Sequence, residues 1–163
     1  EIIDGIRAGC RADFQIGLRL SPERFGVKLA EIREVAGKVL REGKIDFLDM
    51  SLWDYAKEPV EDEFKGRTLM SYFTELPRGK VLLGAAGKIM SAADAVAVID
   101  AGCDYVMIGR GAILRHDFPE RVRGDAGYVS PALPVTVAHL RAEGLGDEFV
   151  KYMQGWKGFV AEA

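Results

Sequence analysis

The apolar residues of this chain fall into short continuous runs that alternate with longer segments of helical periodicity. The run Tyr105-Val106-Met107-Ile108 is typical of a strand that is covered on both faces, and FQIGLRL, at residues 14–20, is the first strand candidate. The segment 28–42 repeats its apolar residues every three or four positions and ends at Gly43, as an amphipathic helix does. Strands are therefore predicted at 14–20, 45–51, 80–85 and 104–109, helices at 28–42, 67–76, 134–143 and 146–154, and a loop with short helical pieces at 115–132.

A further helix is predicted after the third strand. Ser91 and Asp94 form the Ser-x-x-Asp pattern of a capping box, which marks a helix start. We expect the buried side chains of this helix to be Val96, Val98 and Ile99.

The alternation of strands and helices predicts an α/β fold with a parallel sheet, because parallel neighbours need a long crossover between them. The spacing between strand starts is near that of a βα unit of roughly 30 residues. In such a sheet the carboxyl ends of the strands share one edge. We therefore expect Arg19, Ser51, Gly87 and Gly109 at that edge.

Two of the predicted strands end in turns that suit a phosphate group. The third strand runs into Gly87-Lys88, and the fourth into Gly109-Arg110-Gly111. Glycine lets a ligand approach the backbone, and arginine presents a planar, permanently charged fork. Backbone N–H groups at the start of a helix would add to such a site. The alternative is that both are ordinary strand-to-helix turns, in which glycine is common.

Arg19 is a charge between two leucines near the end of a strand that is predicted to be buried. Such a charge needs a partner. Either it forms an ion pair with an inward carboxylate such as Asp49, or it contacts a ligand at the strand ends.

Composition and charge narrow the function class. The 163 residues fit one domain, with 48% hydrophobic and 29% charged residues, as in ordinary globular proteins. A net charge of −3 does not favour nucleic acid or an acidic membrane as a partner. No apolar run approaches the roughly 20 residues of a membrane span. Cys10 and Cys103 show no metal spacing, and we expect Cys103 to be buried and the setting to be reducing and cytoplasmic.

Four motifs and the tail resemble one family in their order along the chain. GLRLSPERF, FLDMSLW, LLGAAGKI and DYVMIGRGAI, followed by LRAEGLGDEFVKYMQGWKGFV, resemble the second half of flavin-dependent oxidoreductases of the Old Yellow Enzyme type. The resemblance implies that residues 1–163 form a single half-barrel domain. This would be the C-terminal half of a (β/α)₈ TIM barrel, with four parallel strands in the β5–β8 region and the C-terminal helices. The start at Glu1 leads us to expect a fragment whose N-terminal half is elsewhere.

The same resemblance implies a cofactor and its contacts. The family binds FMN, which NAD(P)H reduces and which passes hydride to an activated alkene, a small-molecule substrate. Gly87, Lys88, Gly109 and Arg110 match the phosphate site, and Arg19 matches an arginine beside the flavin ring that stabilises the reduced form. No catalytic residue and no metal ligand is expected here. The family's His-His or His-Asn pair and its tyrosine proton donor lie on earlier strands, so the chain alone is expected to be inactive.

Other functions stay open from the sequence. One is a non-catalytic half-barrel that binds a phosphate-bearing ligand or pairs with itself. Another is a different phosphate-binding barrel, such as a sugar-phosphate lyase or isomerase, although no lysine lies in mid-strand for a Schiff base. Open strand edges lead us to expect pairing with an N-terminal half-barrel or with a second copy.

Four further side chains have two interpretations each. Trp53 and Tyr55 either line a substrate pocket or pack. His116 is expected to be structural or solvated, and His139 to lie on the surface.

Overall fold

Four short strands lie side by side in the order in which they occur along the chain. In the computed structural model, which describes residues 1–24 and 26–161, these are β1 (Gly17–Leu20), β2 (Phe47–Ser51), β3 (Leu82–Ala86) and β4 (Tyr105–Met107). All three pairings are parallel, and the sheet order is β1-β2-β3-β4. Doubly wound sheets reverse their strand order, whereas (β/α)₈ barrels keep it sequential. The predicted α/β class with four parallel strands is confirmed.

Helices precede, separate and follow the strands along the described chain. They are α1 (Ile2–Gly9), α2 (Leu29–Glu42), α3 (Ser71–Thr74), α4 (Ala92–Asp100), α5 (Arg110–Leu114), α6 (Phe118–Gly124), α7 (Val137–Ala142) and α8 (Asp147–Gln154), with a 3₁₀ turn at Asp62–Phe64.

The chain divides into two compact units. The first contains Glu1–Gly87 and Ala97–Met107, and thus the whole sheet, while the second contains Lys88–Val96 and the chain from Ile108 onward. The expectation of a single half-barrel domain over 1–163 stays a prediction.

One face of the sheet is the core of the first unit. Leu48 and Met50 on β2 and Leu83 and Ala85 on β3 alternate along their strands, and each is at most 1% exposed. Burying a large aliphatic side chain stabilises a fold by roughly 1.5–3 kcal/mol. Other buried apolar residues of this unit include Leu29, Ala36, Leu40, Leu69, Met70, Phe73 and Val98.

The opposite face, which we call the front face, combines polar groups with aromatic rings that cover glycines. A Cβ on Gly17 would lie 2.1 Å from the Phe47 ring, and a Cβ on Gly84 would lie 2.1 Å from the Tyr105 ring. The two rings meet edge to face, with centroids 6.1 Å apart. By register and alternation the front face consists of Gly17, Arg19, Phe47, Asp49, Ser51, Leu82, Gly84, Ala86, Tyr105 and Met107.

The second unit has its own apolar cluster. Its buried members are Leu114, Val135, Leu140, Val150, Met153 and Phe159. In the same unit, the backbone at Met90–Ala92 is hydrogen-bonded to the backbone at Tyr128–Ser130. The Ala92 amide donates to the Tyr128 carbonyl at 3.0 Å, and the Ser130 amide donates to the Met90 carbonyl at 2.7 Å.

The helix start at Ser91 is confirmed, with one change in its hydrogen bonds. The Ser91 hydroxyl accepts from the Asp94 amide at 3.0 Å, as a cap should. The Asp94 carboxylate accepts from the amide of Met90 at 2.8 Å, one residue before the expected donor.

The expectation that Val96 and Ile99 are buried was wrong. Both are exposed, whereas Ala92, Ala95 and Val98 form the buried stripe of α4. The sequence AADAVAVID is apolar nearly all round, so periodicity alone could not select the buried face. The helix predicted at 67–76 is also shorter, because the Leu69 amide donates to the Lys57 carbonyl at 2.8 Å instead of joining a helix.

We predict that Gly84→Ala destabilises the first unit by about 1–3 kcal/mol, the usual effect of overpacking. The new methyl must displace the Tyr105 ring from its place against Phe47. Urea unfolding followed by circular dichroism measures this change. Gly5→Ala is the matched control, because its Cβ would meet nothing within 4 Å on an exposed helix and should raise stability by up to about 1 kcal/mol. Equal unfolding midpoints for Gly84→Ala and the parent chain would contradict the prediction.

Candidate functional site

Arg19 lies at the carboxyl edge of the sheet and is held by two residues of β2. The register places it opposite Asp49, and its Nε lies 3.4 Å from Asp49 Oδ2. Its Nη2 donates to the Ser51 hydroxyl at 2.8 Å. The ion pair with Asp49 is thus present, while a ligand contact stays a prediction. The Arg19 side chain is still 59% exposed, so the guanidinium is both fixed and accessible.

Asp49 is the buried carboxylate of this group. Its side chain is only 5% exposed, and Oδ1 has no hydrogen-bond partner among the described residues. Burial raises its pKa, and the positive charge of Arg19 acts in the opposite direction. On β4, burial and the nearby Asp49 charge raise the pKa of Tyr105 to about 12. The Tyr105 hydroxyl donates to the Leu48 carbonyl at 3.3 Å and does not satisfy Asp49.

The loops that follow β1 and β2 line a small, partly open cavity of about 20 Å³. At its rim the Arg24 guanidinium stacks 3.9 Å from the centre of the Trp53 ring, a cation–π contact. Both residues have positive φ, 82° and 68°, which is uncommon outside glycine. Glu23, which also lines the cavity, is buried and forms an ion pair with Lys57. Trp53 therefore lines a cavity, and whether a substrate occupies it stays a prediction.

Gly87 also lies in the first unit, immediately after β3. Its carbonyl accepts from the Tyr55 amide at 3.0 Å, and a Cβ on Gly87 would lie 2.9 Å from the Asp54 amide nitrogen. Close approach of two backbone segments therefore requires glycine here. This contact explains Gly87 by close backbone packing, while the role of the Tyr55 ring stays a prediction.

The other predicted phosphate residues lie in the second unit. Lys88 adopts a positive φ of 57°, Gly109 is the N-cap of α5, and Arg110 is the first residue of that helix. A Cβ on Gly109 would meet no atom within 4 Å, whereas a Cβ on Gly111 would lie 2.9 Å from the Phe118 ring. Gly111 is thus explained by packing. An accessible backbone at Gly109, next to an arginine at a helix start, suits an anionic oxygen group.

A cluster around one buried carboxylate in the second unit was not found by sequence reasoning. Glu143 is buried, and its carboxylate lies 2.8 Å from Arg115 Nη1. The backbone amide and Nδ1 of His116 lie 3.0 and 2.7 Å from the same carboxylate. Burial acts to raise the Glu143 pKa, but the His116 hydrogen bonds and the Arg115 charge outweigh it and lower the pKa. His116 is structural, as expected.

The surface position expected for His139 was wrong. Its ring is half-buried, and Nε2 lies 2.8 Å from the Leu114 carbonyl. Cys103 is buried as predicted, and burial raises the pKa of its thiol to about 11.

The described residues show neither a candidate metal cluster nor a candidate membrane span. Residues 1–24 and 26–161 contain no group of three or more His, Cys, Asp or Glu side chains that could hold a metal ion. None of the helices within those ranges is long and apolar enough to cross a membrane.

The chain is similar to one protein in sequence and to two solved structures. No family model matches the chain. The probable NADH-dependent flavin oxidoreductase YqiG of Bacillus subtilis (strain 168) is 33% identical over 113 residues, 68% of this chain and 30% of that protein. Morphinone reductase in complex with tetrahydroNAD matches 71% of this chain and 30% of its own, at 27% identity and a TM-score of 0.48. A mutant of that reductase in the same complex matches at 28% identity and a TM-score of 0.45. The chain spans about 30% of the length of these proteins.

We predict that Asp49→Asn raises the stability of the chain at neutral pH by roughly 1–3 kcal/mol, because the variant no longer buries a carboxylate charge that lacks full hydrogen bonding. The folded-state pKa of Asp49 is raised, so the fold disfavours the charged form. The gain should be largest above that pKa and disappear as pH falls to the ordinary range of aspartate. Thermal unfolding across pH measures it.

The matched control for that experiment is Asp46→Asn, three residues earlier. Hydrogen bonds from the Ile16 amide and from Arg7 lower the Asp46 pKa, so this variant should lose stability at neutral pH. Equal effects of the two substitutions would contradict the account of Asp49.

We predict that Glu143→Gln lowers stability at neutral pH by about 1–3 kcal/mol, because a buried, charge-assisted set of hydrogen bonds is lost. A lowered pKa contributes stability above the ordinary glutamate pKa and loses it as pH falls through the folded-state value. The difference between variant and parent should therefore shrink in acid. Glu148→Gln, at an exposed pair with Lys151, should change little at any pH. A constant difference down to strongly acidic pH would show that the carboxylate charge is not responsible.

Proposed function

We propose that this chain, which is similar over 113 residues to a probable NADH-dependent flavin oxidoreductase, is the C-terminal part of an FMN-dependent NAD(P)H oxidoreductase of the Old Yellow Enzyme type. In this proposal the chain supplies the site for the FMN phosphate. The observation that carries it is the 33% identity over 113 residues to a protein of that class. The sequential parallel sheet, with Arg19 at its carboxyl edge, supports the same conclusion.

Three residues of the second unit are proposed to hold the phosphate. Lys88 and Arg110 provide positive charge at the turns that follow β3 and β4. Gly109 leaves its backbone accessible, and α5 begins directly after it. Charged side chains combined with N–H groups at a helix start are a common way to bind a phosphate dianion. Gly87 shapes the first of these turns through its contact with the backbone at Asp54.

Arg19 is proposed to contact the flavin ring. Its guanidinium is held from two sides by Asp49 and Ser51, yet more than half of the side chain is exposed on the front face. A fixed positive charge beside the ring favours its reduced form, because negative charge develops there on reduction. When bound, FMN would supply the hydride chemistry between NAD(P)H and an activated alkene, while this chain would bind and orient the cofactor.

The proposal also includes a protein partner for the open sheet and a cytoplasmic location. On the front face Leu82 and Met107 are exposed, and β1 and β4 are the edge strands of the described sheet. An N-terminal half-barrel would cover this face and pair with both edges, and a second copy is the alternative partner. Two free cysteines, Cys10 and Cys103, are consistent with a cytoplasmic setting.

We predict that Arg110→Ala weakens FMN binding by about 10- to 150-fold when the chain is assembled with its N-terminal half. The lost interaction is a charge-assisted hydrogen bond worth about 1.5–3 kcal/mol. Titration followed by flavin fluorescence measures the dissociation constant. Arg123→Ala removes an exposed positive charge in the last turn of α6 and is the matched control, which should bind FMN as the parent does.

Two outcomes would count against the proposal. If the parent protein shows no flavin absorbance and no titration, the chain is a non-catalytic half-barrel or part of another barrel. If Arg110→Ala is folded and binds FMN as tightly as the parent, the turn at Gly109-Arg110 is only a connection between β4 and α5.

A further inference from the structure

A carboxylate with an unsatisfied oxygen lies in the middle of the sheet, where it lowers stability. Asp49 is the central residue of β2, its side chain is 5% exposed, and Oδ1 has no hydrogen-bond partner among residues 1–24 and 26–161. Burying a charged group is unfavourable unless hydrogen bonds replace its hydration. Asparagine would remove the cost of burying a charge, and a small apolar residue would also remove the need for hydrogen bonds. The presence of a carboxylate here therefore needs a reason other than stability.

The groups around Asp49 leave one role for it. On β1 it faces Arg19, with Nε at 3.4 Å from Oδ2. On β3 its register partner is Gly84, which has no side chain, and on β4 the Tyr105 hydroxyl donates to the Leu48 carbonyl. Neither β3 nor β4 brings a cation to the carboxylate. Among residues 1–24 and 26–161, the charged partner of the Asp49 carboxylate is Arg19.

The two residues of β2 that contact Arg19 hold it in different ways. Ser51 accepts a hydrogen bond from Nη2 at 2.8 Å and carries no charge. Asp49 lies beside Nε and, when ionised, brings a full negative charge to the guanidinium. Two contacts at different nitrogens fix the plane of a side chain that otherwise has many rotamers. Only Asp49 also reduces the effective charge of Arg19, because Ser51 is neutral.

We propose that Asp49 is a positioning residue that fixes the guanidinium of Arg19 and partly offsets its charge, and so sets the reduction potential of the flavin bound against Arg19. This inference rests on the proposed function, because it takes Arg19 to be a flavin contact. Asp49 itself lies below the exposed surface and touches the flavin only through Arg19. It lowers the potential relative to a site in which Arg19 acts at its full charge.

The charge effect is tested with Asp49→Asn, which keeps the shape of the side chain and removes its charge. In the flavin-loaded protein the affinity for reduced relative to oxidised FMN should rise about tenfold, which is about 30 mV for a two-electron couple. Ser51→Ala should weaken FMN binding and leave the potential near that of the parent. Asp13→Asn removes an exposed carboxylate before the amino end of β1 and should change neither quantity. A potential in Asp49→Asn that equals or falls below that of the parent would overturn the charge role.

The positioning effect is tested in the flavin-free chain, so that it does not depend on cofactor binding. The Nε–H resonance of Arg19 should be resolved and slow to exchange in the parent chain. In Asp49→Ala it should broaden or exchange faster, whereas in Asp13→Asn it should stay unchanged. Asp49→Ser serves as a second variant if Asp49→Ala does not fold.

The two experiments separate the possible failures. If the parent does not bind FMN, the proposed function fails, while the Arg19 resonance still reports whether Asp49 positions the guanidinium. If the parent binds FMN and the Arg19 resonance is the same in the Asp49 variants, the positioning role is wrong although the proposed function stands.

Discussion

The parallel register between β1 and β2 determines most of what this chain can do. It places Arg19 opposite Asp49. Ser51 lies on the same face of β2, two residues closer to the carboxyl edge, and accepts a hydrogen bond from Arg19. A shift of one residue would turn Arg19 toward the face that carries Leu48 and Met50, because side chains alternate along a strand. The same register brings Phe47 over Gly17. Polar chemistry and aromatic packing are therefore on one side, and the apolar core is on the other.

The two faces meet different physical demands. The core face is stabilised by close packing of aliphatic side chains, and it tolerates no charge. The front face includes a buried carboxylate, an exposed arginine and two glycines covered by rings. Sites that bind or tune a ligand are often less stable than the same scaffold would be without them. Asp49, with its unsatisfied oxygen, is such a position, and it lies beside the arginine that we assign to the cofactor.

How much the sequence could predict depended on whether the signal was local. Apolar runs separated by helical periodicity give the four parallel strands, and Ser91 with Asp94 gives the start of α4, because both patterns lie within a few residues. The pairing of Arg19 with Asp49 could be proposed because a charge on a buried strand needs a partner. The cluster around Glu143 could not, because His116 lies 27 residues away and a glutamate at a helix end looks like a surface residue. The buried face of α4 was missed for a related reason, since nearly every position in that helix is apolar.

The two units are interleaved along the sequence, and this limits where the backbone can be cut to separate them. The first unit contains Glu1–Gly87 and Ala97–Met107, and the segment Lys88–Val96 between them belongs to the second. The backbone therefore passes between the units three times, and α4 contributes residues to both. No single cleavage of the backbone separates the two units cleanly. A cut after residue 87 keeps the second unit whole but removes 97–107 from the first, and a cut after residue 107 keeps the first unit whole but removes 88–96 from the second. A truncation that isolates one unit therefore always carries a piece of the other.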